Sequence, residues 1–167
     1  MKHFKLFLLP LLAIICIFTS CEQQDLSLTY IEPIQDWGKS PQDILEKMTK
    51  SKSGATLEYS ESDESDYYMQ YENYGISEYL IYMFSNNRLA FCYTITEGLS
   101  FKQTIKDYCT SKFTLVQIEK DEDYEIYLYH NKKKTSSILL YIDEEGISQY
   151  YLPYLEGNIE DFIDSMP

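Results

Sequence analysis

Any chemistry in this chain must be done with few reactive side chains. Its 167 residues hold two histidines, four cysteines and 27 aspartates and glutamates. His3 falls in an apolar leader, which leaves His130, beside Asn131 and Lys132 at a strand end, as the imidazole of the folded part. One histidine builds no Cys-His pair and no Ser-His-Asp relay. It does not complete the nitrogen and sulfur ligand set of a zinc centre either. The six glycines form no phosphate-cradling loop. Asp63, Glu64 and Asp66 cluster in one turn, and Asp121, Glu122 and Asp123 in another. Such oxygens could begin a calcium shell, but the alternating spacing and mid-loop glycine of an EF-hand are missing. They read as solvated turns that keep edge strands from pairing. The sequence therefore predicts no catalytic residue, no metal and no cofactor, and a protein that is not an enzyme.

The surplus is tyrosine, 17 residues against one tryptophan. Tyrosine suits half-buried pleated surfaces, and it is enriched where one protein recognises another. Net charge is -13. That excludes nucleic acid as a partner, since neutralising phosphates needs a basic footprint. A hydrophobic share of 44 % supports a packed core rather than a disordered chain.

Lys2 and Lys5, an apolar run to Phe18 and the small residues Thr19-Ser20 have the pattern of a secretory signal peptide over 1–20. The run is short for a membrane span, and Pro10 interrupts it. Ser20-Cys21 resembles a bacterial lipobox, and Thr-Ser-Cys endings are similar to those of small outer-membrane lipoproteins of the Bacteroidetes. The resemblance implies that Cys21 carries lipid and that residues 21–37 are a tether and lead-in. Glu22 after the lipid cysteine implies an outer-membrane address, with the membrane engaged through the anchor alone. Cys92 and Cys109 then remain, an even pair in an exported protein. They are either a disulfide or two buried free thiols.

Three helix starts punctuate the rest, following Gly38, Gly98 and Gly157. Ser40, Ser100 and Asn158 can cap first turns, and Asp43, Gln103 and Asp161 three residues on complete capping boxes. Between them, apolar runs at 55–61, 66–73, 79–84 and 88–96 read as strands. The runs at 113–119, 124–130, 137–142 and 147–154 repeat the pattern. The expected fold class is α+β. It is a tandem repeat (38–97 and 98–156) of a helix plus four antiparallel strands, forming a sheet with helices packed on one face and closed by a C-terminal helix at 157–167.

In that arrangement Tyr79, Ile81, Met83, Ile138, Leu140 and Ile142 would face the helices. Tyr68, Tyr82, Tyr127, Tyr129, Tyr141 and Tyr151 would form the uncovered aromatic face. Trp37 would pack on Ile34 as a lid. The tandem plan resembles that of the β-lactamase inhibitor proteins, a likeness of architecture that transfers no functional residue. The expectation is a lipid-anchored envelope module that engages a protein partner through Tyr68, Tyr82, Tyr127, Tyr129 and Tyr141. A glycan or peptide ligand stacked on the same rings is the alternative.

Overall fold

The computed structural model describes residues 29–51, 53–63 and 66–166. The leader, Cys21 and the start of the tether lie outside these described residues. The chain is an α+β protein built on one open eight-stranded antiparallel sheet. The elements run α1 (Pro41–Lys50), β1 (Thr56–Asp63), β2 (Asp66–Tyr74), β3 (Ser77–Ser85) and β4 (Arg88–Glu97). Then come α2 (Lys102–Lys112), β5 (Phe113–Lys120), β6 (Glu125–Asn131), β7 (Ser136–Ile142), β8 (Gly146–Pro153) and α3 (Ile159–Asp164).

The strands lie in the order β1-β2-β3-β4-β8-β7-β6-β5. Each half is a helix followed by a four-stranded meander. The halves meet where β4 pairs β8, with Tyr93 opposite Tyr150 and Thr94 opposite Gln149. β1 and β5 are thus the outer edges, where unpaired backbone would invite another chain. Pairing is interrupted in both, between Leu57 and Tyr59 and between Leu115 and Gln117. Bulges of this kind twist an edge away from further pairing.

Local chemistry explains the helix ends. Ser40 caps α1 by accepting from the Asp43 amide at 3.2 Å, the Asp43 carboxylate accepts in return, and Pro41 occupies a first-turn position. Asn158 and Asp161 do the same for α3. The cap expected at Ser100 does not form. Gly98, with φ of +65°, leads into a turn, and α2 starts behind Phe101 with no side-chain cap. Asn86 and Asn87 take positive φ between β3 and β4, as a tight hairpin requires.

Both faces of the sheet are used, unequally. On one, Ile44 and Met48 of α1 and Ile105 and Cys109 of α2 join Leu80, Tyr82, Tyr127, Tyr129 and Ile138 in a single cluster. On the other, Ile159 and Phe162 of α3 pack with Phe91, Ile126, Leu128, Leu139 and Leu152. The C-terminal helix, expected only to close the end of the sheet, takes the face opposite α1 and α2. Burying each such side chain contributes about 1.5–3 kcal/mol.

A third element covers the face of α1 and α2. Residues 29–37 have no regular structure, yet their backbone is hydrogen-bonded to the body. The Ile34 amide donates to the Tyr82 hydroxyl at 2.9 Å, and Tyr74 donates to the Glu32 carbonyl at 2.9 Å. Tyr30, 8 % exposed, donates to Gln149 Oε1 at 2.7 Å and packs on the Tyr108 ring at 4.2 Å. Tyr108 in turn donates to the Glu32 carboxylate at 2.6 Å. An Asp36–Lys47 ion pair ties the strap to α1. Trp37 belongs to the same core face, its indole donating to Ser136 Oγ at 3.0 Å. Gly75, at φ +63°, lies against this strap, and a side chain there would overlap the Thr29 carbonyl.

Candidate recognition face

The pairing register lays out the face that α3 shares. Ile81, Tyr93, Tyr150, Leu139 and Leu128 form one line across five adjacent strands. Glu72, Tyr79, Ile95, Ser148, Tyr141 and Ile126 form the next. Tyr68, Met83 and Phe91 form a shorter one. The cluster under α3 ends in half-buried Met83, Tyr93 and Tyr150. Beyond it, Tyr68, Tyr79 and Ile95 are half-buried and belong to neither core cluster. The β2–β3–β4 end of this face is therefore partly open to solvent.

Its centre is aromatic. Tyr93 and Tyr150 have ring centroids 5.7 Å apart and planes within 27°. Phe91 lies 5.6 Å from Tyr93 and 6.1 Å from Tyr150. Burial, with Tyr150 and Tyr68 nearby, raises the Tyr93 phenol above its ordinary pKa, so its hydroxyl is a neutral donor at neutral pH. Farther along, Tyr141 stacks with Tyr124 at 6.1 Å. Both rings line a cleft of about 450 Å³ between the β5–β6 and β7–β8 turns, whose wall carries Asp121, Asp123, Asp143 and Glu145.

Of the tyrosines expected on an uncovered face, Tyr68 and Tyr141 are on it. Tyr82, Tyr127, Tyr129 and Tyr151 are not; they point to the opposite side and are 0–4 % exposed. The cause is coverage. In β6 the alternates Ile126 and Leu128 do enter a core, but it is the one under α3, so Tyr127 and Tyr129 fall beneath α2. In β3 every residue from Tyr79 to Phe84 is apolar or aromatic, so alternation leaves both phases open. Tyr82 goes inward because its hydroxyl finds the Ile34 amide there, and a buried phenol needs such a partner. Tyr79, Ile81 and Met83, expected inside, consequently face the other way. Tyr93, Tyr150 and Phe91 were missed as face residues. Their register opposite Ile81 and Leu139 would have exposed them once β3 was phased correctly.

Tyr127 has a structural task. Its hydroxyl bonds Glu125, and Lys106 Nζ lies 2.6 Å from it. Lys102 reaches Glu125 at 2.8 Å, so α2 is tied to β6. Lys102 first, then Tyr127 and Lys106, hold the Glu125 carboxyl down at about 2. A depressed folded pKa adds stability above the unfolded value and loses it as pH falls toward the folded one. Glu125→Gln should therefore cost about 1–2 kcal/mol at pH 7, after allowance for solvent screening. In thermal melts the gap to the parent protein should close between about pH 5 and pH 2. A gap that persists at pH 2 would contradict the ion-pair assignment.

Cys92 and Cys109 are free thiols, both buried, which corrects the disulfide reading in favour of its alternative. Burial, with the Glu32 charge adding to it, pushes Cys109 up to about 12 and Cys92 well above the ordinary range. Neither is a nucleophile in that state. His130 sits near the end of β6, its ring 4.8 Å from that of Tyr154. Burial and Lys134 depress its pKa. Among the described residues, no group of three or more His, Cys, Asp or Glu is placed to hold a metal ion. No helix among them is long and apolar enough to cross a membrane. Compared with protein-family models, curated proteins and solved structures, the chain matches none.

Proposed function

We propose that this chain is a lipid-anchored module of the outer membrane that binds a protein partner through the open β2–β3–β4 end of one sheet face and its border with β8, centred on Tyr93 of β4 and Tyr150 of β8. The observation that carries the reading is unequal coverage. α1, α2 and the strap cover one face as far as its outer strands, where Leu57 and Leu115 are exposed, whereas the cluster under α3 reaches only from β6 to Phe91 of β4 on the other. A row of half-buried aromatic side chains is left at the margin of that cover. Large rings with polar tips, held rigid by a sheet, are what recognition surfaces favour.

The side on which the strap joins the body supports the same reading. The strap enters on the helical face, and the eight residue steps from Cys21 to Thr29 reach about 28 Å at most. A lipid at Cys21 would hold the helical side toward the membrane and leave the aromatic end turned outward. The tandem repeat belongs to the same proposal. Two helix-plus-meander halves, with edge bulges 58 residues apart at Glu58 and Val116, support duplication of one unit. α3 has no counterpart in the first half, and its absence there is what leaves that half of the face open. The test is partner capture by the full-length chain and by a Tyr93→Ser/Tyr150→Ser variant. Loss of capture with the fold intact supports the reading, and undiminished capture ends it.

A further inference from the structure

The open end of this face is acidic. Residues 55–97, which make up β1 to β4, contain eight acidic residues and one cation, Arg88. Arg88 is the exposed first residue of β4, at the hairpin end of the strand. The seven lysines of residues 98–156 all belong to the other half of the chain. Glu58, Glu72, Glu78 and Glu97 gather beside Tyr79 at the far end of the open face. Glu72 is raised above its ordinary pKa mainly by the charge of Glu58, and Glu97 by a hydrogen bond with Glu78 followed by its charge. Tyr79 is raised by Glu78 first, then by its own burial, with Glu72 and Glu58 adding to it. Gln70, in line with Ile81 and Tyr93, holds Glu58 at 2.6 Å. The carboxylates therefore stand next to the aromatic row and repel one another, and among the described residues no lysine or arginine contributes to their shifts.

Resting on the binding-face reading above, we infer that the partner presents a cationic segment. Its arginine or lysine groups meet these glutamates, and its apolar side chains lie on Ile81, Met83 and Tyr93. A guanidinium forks onto paired carboxylates and also stacks on tyrosine, so it satisfies both features of the face at once. The chain's own tether is a poor occupant, because Glu22 and Asp25 give it the same sign as the face.

The test uses the full chain in detergent and a short fluorescent peptide alternating arginine with leucine, read by anisotropy. A counterpart with glutamate in place of arginine is the control. The arginine peptide should bind, and more weakly as salt is raised. Replacing Glu58, Glu72, Glu78 and Glu97 by glutamine should weaken it about tenfold or more. Glutamine there relieves repulsion, so the variant keeps its fold. The glutamate peptide should not bind. Equal binding of both peptides, or unchanged binding by the glutamine variant, overturns the cationic segment. Tyr93→Ser/Tyr150→Ser is measured alongside. If it alone loses a neutral glycan or peptide, the face reading stands and the cationic inference fails; if it binds everything as before, the face reading itself fails.

Discussion

Tyr82→Ala should lower stability by about 3–5 kcal/mol, the range for truncating a buried aromatic ring. In a domain of this size that displaces the melting temperature by roughly 10 °C. Tyr82 is fully buried, packs with Tyr71 at 6.2 Å and accepts the Ile34 amide. Its removal leaves a cavity and an unpaired buried N–H, and the strap loses a fastening. Tyr82→Phe separates the two effects: it keeps the volume and should cost about 1–2 kcal/mol for the lost acceptor alone. Tyr68→Ser, on the half-open face, should cost about 1 kcal/mol or less. Thermal unfolding by circular dichroism reads all three. If the face residue proves the costly one and Tyr82 the tolerant one, the two sides of the sheet have been assigned the wrong way round.

Loss of the partner is the second large effect. Recognition energy concentrates in a few aromatic anchors near the centre of a contact, each contributing about 2 kcal/mol or more. In the proposed contact Tyr93 and Tyr150 lie side by side at such a centre, beside the buried Phe91. The double serine variant should bind its partner about a hundredfold more weakly or not at all. Its melting temperature should stay near that of the parent, because both rings are only half-buried. A serine at Thr104, exposed on α2, serves as the control and should change nothing. Capture that survives in the double variant would refute the role assigned to these rings.

Much of this architecture was legible in the residues. Capping boxes at Ser40 and Asn158 formed where the spacing placed them, and the eight apolar runs became eight strands within a few residues of their expected bounds. Asn86 and Asn87 made the hairpin their backbone preference allows. What failed was the phase of the strands. A strand such as β3, apolar at every position from Tyr79 to Phe84, carries no alternation to say which side turns inward. Where alternation exists, as in β6, it locates the aliphatic side but not which helix covers it. Treating all helices as one layer put Ile126 and Leu128 under α2, when they lie under α3. Ser100 failed as a cap because Gly98 and the Lys102 amide bond to the Leu99 carbonyl fold the chain into a turn first. The aromatic character of the half-open face was readable. Its membership was not, apart from Tyr68 and Tyr141, because one misphased strand moves every side chain to the other surface.

Site-specific photo-crosslinking in the native envelope tests the central claim most directly. A photoreactive amino acid is placed at Tyr68 or Tyr93 on the open end of the sheet, and in separate proteins at Thr104 on α2. One crosslinked protein species is expected from positions 68 and 93, absent from position 104. Crosslinks arising only from position 104, or equally from both faces, would contradict it.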